Sequence, residues 1–117
     1  MARVLICEPH DDISALLELV VRRLGHEPVT FVGGDVGRDE VDAAVIEPSE
    51  ASALRLARSL RAQDVPVLFT SIYPAEPEIL DLKPAAYLVK PFPLYVLERA
   101  LESALAVFVS ASAVAAL

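Results

Sequence analysis

Five short apolar runs punctuate the chain: "RVLIC" (3–7), "PVTFV" (28–32), "DAAVI" (42–46), "PVLFT" (66–70) and "AYLV" (86–89). Each is too short for a helix and most are rich in β-branched residues, so each predicts a strand. Between the first two runs, Ile13, Leu16, Leu17, Val20, Val21 and Leu24 recur at helical spacing, with Glu18 and Arg22 as an i,i+4 pair on the outer face. Gly25 ends this helix, and Asp11 or Asp12 is its expected N-cap. A second helix is predicted over 50–62, turning Leu54, Ala57 and Leu60 inward, with Ser49 as cap after Pro48. After "KPF" a last helix carries an inward stripe of Leu94, Leu97, Leu101, Leu105 and Phe108.

Strand and helix therefore alternate, which implies right-handed crossovers and a parallel sheet covered on both faces. The expected fold is α/β, a three-layer doubly wound sheet of five parallel strands. Two connections are thin. "GGDVGRDEV" allows a turn or about one helical turn. In "SIYPAEPEILDLKPA", Pro74, Pro77 and Pro84 confine any helix to roughly residues 77–82. The second and fourth helices are thus expected to be short.

A chain of 117 residues, 55% of them hydrophobic, builds one domain with a substantial core. Residues 1–108 account for that domain, and 109–117 read as an apolar extension of the last helix. Seventeen acidic against ten basic residues leave a net charge of -7, which argues against a duplex nucleic-acid surface. The lone Cys7 supports neither a disulfide nor a cysteine metal site. "MARVLICEPH" is a poor signal peptide and the uncharged stretch 103–117 is short for a membrane span, so a cytoplasmic protein is expected. Lacking charge, that stretch instead suggests an interface on the last helix, for a homodimer or a protein partner.

In an open parallel sheet, chemistry collects at the carboxyl ends of the strands. There the sequence places Glu8 and Pro9, Glu47, Thr70 and Ser71, and Lys90. On "VLICEPHDDISALLELVVRRLGHEPV", "DAAVIEP", "VPVLFTS" and "AAYLVKPF", the chain resembles a response-regulator receiver domain of two-component signalling, the flavodoxin-like, CheY-like phosphoacceptor module. The resemblance covers residues 2–108. It implies Glu47 at the phosphoacceptor position, Glu8 and Pro9 at the paired acidic positions that hold magnesium, and Ser71, Tyr87 and Lys90 at the switch and phosphate-binding positions. It also implies a cis Lys90–Pro91 bond.

Two departures bear on the chemistry. Proline at position 9 offers no side-chain oxygen, so any magnesium held through Glu8 and Glu47 would be held weakly, and none is expected. At position 47 the extra methylene of glutamate displaces the carboxylate by about 1 Å, enough to cost roughly a hundredfold in rate. The reading is an atypical pseudo-receiver, not an enzyme, signalling by protein contact without phosphorylation. Glu47 is expected to pair with Lys90, with Ser71 donating to the same carboxylate. The rivals are a working phosphorelay receiver and a nucleotide- or flavin-binding domain; the latter lacks a glycine-rich loop after the first strand. His10 reads as a loop residue without metal-ligand spacing, and Arg55, Arg58 and Arg61 as a solvated helix face.

Overall fold

The structure is a computed structural model that describes residues 1–116, with side chains described through Ala106. Its elements run β1 (Arg3–Cys7), α1 (Asp11–Arg23), β2 (Glu27–Thr30), β3 (Ala43–Ile46), α2 (Ala51–Ala62), β4 (Val67–Ser71), α3 (Pro77–Leu80), β5 (Ala86–Val89) and α4 (Leu94–Ala116). All strand pairs are parallel, in the order β2-β1-β3-β4-β5. The five predicted strands and the doubly wound sheet are present. The order reverses at β1, which makes the crevice between the ends of β1 and β3 the topological switch point.

Alternation along the strands builds one core on each face of the sheet. Val4, Ile6, Val45 and Leu68 meet Leu17, Val20 and Val21 of α1 and Leu97, Leu101 and Leu105 of α4. Leu5, Ala44, Ile46, Val67 and Phe69 meet Ala53, Leu56, Ala57 and Leu60 of α2 and Ile79 of α3. β3 and β4 are buried along their whole length, which is why their sequences run apolar without alternating.

The helices depart from expectation in their faces and caps. Leu16 is 41% exposed, and Leu54 is only half-buried while Ala53 and Leu56 line the core. In a helix with apolar residues at adjacent positions, a stripe rotated by one residue satisfies the same pattern. The N-caps are His10 and Glu50, neither with a capping side chain, so Asp11 and Asp12 fall in the first turn of α1. Carboxylates there still face the positive end of the helix dipole. Glu18 accepts a hydrogen bond from the Thr30 hydroxyl at 3.0 Å, and it forms no ion pair with Arg22. Gly25, at φ +84°, does end α1.

Both thin connections are as short as the sequence suggests. Residues 31–42 pass through turns with no helix, Gly33 and Gly34 taking positive φ, and α3 is a single turn of four residues. Arg61 is no solvated side chain: its Nε donates to the Leu82 carbonyl at 2.9 Å and its Nη1 to the Val65 carbonyl at 3.3 Å, tying α2 to the segment before β5. The Phe108 position of the predicted stripe lies outside the described side chains. No helix among the described residues is long and apolar enough to cross a membrane.

Candidate functional site

The sheet register brings the predicted residues to one edge. Cys7 pairs with Ile46, and the Glu47 N–H donates to the Cys7 carbonyl at 2.9 Å, so Glu8 and Glu47 leave adjacent strands side by side. Ser71 pairs with Val89, and the Lys90 N–H donates to the Ser71 carbonyl at 2.7 Å. The Lys90–Pro91 peptide is cis.

Two Glu-Pro turns then shape the carboxylates. After β1, Glu8-Pro9-His10 folds back so that the His10 N–H donates to Glu8 Oε2 at 3.2 Å, with His10 Nδ1 3.1 Å from the same oxygen. After β3, Glu47-Pro48-Ser49 repeats the device: the Ser49 N–H donates to Glu47 Oε2 at 3.2 Å, and the Ser49 hydroxyl donates to that oxygen too. Proline fixes its own φ and carries no N–H, so the donor two residues on is the first backbone group free to turn toward the glutamate. The expected helix cap Ser49 is therefore spent on Glu47.

Lys90 chooses the other carboxylate. Its ammonium donates to Glu8 Oε1 at 2.8 Å, with 18% of the lysine side chain and 1% of the glutamate side chain exposed. The expected Glu47–Lys90 pair is replaced by Glu8–Lys90: Ser49 holds Glu47 Oε2, and the lysine bonds Glu8 Oε1. Burial alone would push the Glu8 carboxyl up. The Lys90 hydrogen bond, the two His10 contacts and the Lys90 charge outweigh it and hold the group below its ordinary 4.5.

The remaining predicted residues sit nearby without joining this pair. The Ser71 hydroxyl accepts from the Tyr73 N–H at 3.1 Å and makes no bond to Glu47. The Tyr87 hydroxyl donates to the Tyr73 carbonyl at 2.8 Å, and its ring lies 6.1 Å from that of Phe69. Thr70 is buried with its hydroxyl unpartnered among the described residues. Cys7, Glu8, Glu47 and Glu50 line a depression of about 170 Å³ at the switch point. Burial, then the charges of Glu50, Glu47 and Glu8, push the Cys7 thiol up to about 11.

This donor set does not fit magnesium, which takes a near-octahedral shell of oxygens. Pro9 contributes none, an ammonium sits on one oxygen of Glu8, and an N–H donor occupies Oε2 of each glutamate. No group of three or more His, Cys, Asp or Glu able to hold a metal occurs among the described residues. Sequence reasoning missed His10 and Ser49 as partners of the two glutamates. The signal was present as the repeated Glu-Pro-X at the ends of β1 and β3.

No family model and no curated protein sequence matches the chain. Solved structures do match in three dimensions. A response regulator receiver protein from Burkholderia phymatum superposes with a TM-score of 0.74 at 18% identity, over 91% of this chain and 96% of that one. A signal receiver domain of a two-component histidine kinase from Clostridium thermocellum gives 0.70 at 17% identity, over 89% and 97%. The receiver domain of a sensor histidine kinase from Pseudomonas aeruginosa, with a magnesium ion coordinated in its active-site cleft, gives 0.67 at 21% identity, over 86% and 94%. The chain has the fold of these receiver domains.

Proposed function

We propose that the chain is a receiver-like signalling module that works through protein contact and without phosphorylation of Glu47. The observation that carries this reading is the partnering of the site. Glu8 is neutralised by Lys90, and Glu47 is turned onto Ser49. In-line phosphoryl transfer needs a free, positioned nucleophile and a cation to absorb the developing charge. Here the lysine charge is spent on Glu8, and Pro9 removes one oxygen from the cation's shell.

Incubation of the chain with magnesium and a small acyl phosphate, followed by intact-mass measurement, tests the reading. The expected spectrum is unchanged. A stoichiometric phosphoryl adduct mapped to Glu47 would overturn it in favour of a working phosphoacceptor.

The last helix is the second part of the proposal. It runs 23 residues, and the stretch 103–117 carries no charge, which supports an interaction surface for a partner or a second copy. Light scattering over a range of concentrations checks the second-copy form, which a monomer at every concentration would remove.

A further inference from the structure

A cleft of about 330 Å³ lies between the start of α2 and the single turn of α3. Its apolar lining includes Leu54, Ile79 and Tyr87, and its rim carries Glu76 and Glu78. Both glutamates are exposed. Glu78 has only a long contact with Arg58, 3.9 Å between two solvated side chains, and Glu76 has no ion pair among the described residues. The rim is thus negative and largely uncompensated above an apolar floor.

We infer that this cleft docks a basic, apolar segment of a partner protein, an apolar side chain entering between Leu54 and Ile79 while neighbouring Arg or Lys residues meet Glu76 and Glu78. Charge selects the occupant. Nucleic acid, an anionic membrane surface or an acidic protein surface would be repelled by this rim. A cationic peptide is steered toward the rim, and burial of its apolar residue supplies the affinity.

The inference rests on the reading above that the chain acts through protein contact, and it names where and with what chemistry. The cleft is also lined by Ser49, which holds Glu47, and by Ser71, whose hydroxyl accepts from the Tyr73 backbone. An occupant therefore touches Ser49, which sets Glu47 in the strand-end site.

Short random peptides displayed on phage, panned against the full chain, test the inference. The expected survivors pair an apolar residue with adjacent Arg or Lys. Synthetic copies should lose affinity about tenfold on E76K/E78K and similarly on Leu54→Ser, while E27K/E40K, exposed charges on the edge strand β2 and in the loop before β3, changes it little. No enrichment, enrichment of acidic or uncharged sequences, or equal binding to E76K/E78K would overturn it. The phosphodonor experiment reads independently: an adduct there removes the phosphorylation-independent reading, and failed panning without an adduct removes the cleft alone.

Discussion

Lys90 reaches from the end of β5 to Glu8 at the end of β1, closing 2.8 Å between an ammonium and a carboxylate whose side chain is 1% exposed. β3 and β4 lie between those two strands in the sheet. The bond therefore clamps the strand ends on both sides of the switch point.

Removing one partner of such a pair leaves the other charge buried and unmatched. Lys90→Ala should destabilise the fold by about 3 kcal/mol, the lower end of the range because the lysine keeps some contact with water. Replacing both residues, Glu8→Leu with Lys90→Met, should recover most of that loss. Urea denaturation of the three proteins checks the pair, and an unchanged midpoint in Lys90→Ala would show that the clamp contributes nothing.

The same bond sets an acid dependence. Folded Glu8 holds its proton less tightly than unfolded Glu8, so the unfolded chain binds more protons in acid and stability falls as the pH is lowered. The contribution is whole above the ordinary 4.5 and is lost as pH drops through the lower folded value. Stability of the natural chain minus that of Glu8→Gln should shrink as the pH is taken below about 5. A difference that grew in acid would contradict the assigned direction.

The sheet was legible because apolar runs of strand length are hard to place otherwise, and because "YLVKPF" and "DAAVIEP" put their polar residues at strand ends. The choice of partner at those ends was not legible. Glu8 and Glu47 emerge side by side from paired strands, so spacing alone offers Lys90 two equivalent carboxylates. Their local turns are alike too, each holding Oε2 and leaving Oε1 open, so only the three-dimensional placement of the Lys90 ammonium on Glu8 Oε1 separates them. Arg61 misled for a related reason, since a charge on a helix face reads as solvated until a neighbouring loop supplies carbonyls.

Ser49→Ala tests the hydroxyl bond to Glu47. The substitution removes the hydroxyl donor to a buried, charged acceptor and keeps the 3.2 Å backbone bond. A loss of about 2 kcal/mol is expected, within the range for hydrogen bonds to charged groups. Ser49→Thr keeps a hydroxyl and should lose less. Equal losses in the two variants would mean that the hydroxyl bond is not the source.

Cys7 should be a slow thiol. With its proton held up to about 11, roughly one part in a thousand is thiolate at pH 8. Alkylation by iodoacetamide at that pH should run about a hundredfold slower than for an unperturbed cysteine peptide, and rise with pH well beyond the point where the peptide levels off. Glu50→Gln removes the largest of the three carboxylate contributions and should speed the reaction. Rapid alkylation at neutral pH would show that burial and the neighbouring carboxylates do not hold the proton on the thiol.

Thr70 carries the opposite kind of defect. The residue is 1% exposed, and its hydroxyl finds no partner among the described residues, so the folded chain bears the cost of a dehydrated polar group without a compensating bond. Strand alternation sets Thr70 on the same face as Leu68, and its register places it beside Leu88. Valine has nearly the same shape, keeps the β-branch that suits a strand, and buries no hydroxyl. Thr70→Val should therefore stabilise the chain by about 1 kcal/mol, read as a rise in the urea midpoint at constant slope. A loss of similar size would place a hydrogen-bond partner on that hydroxyl in solution and make Thr70 a member of the strand-end site.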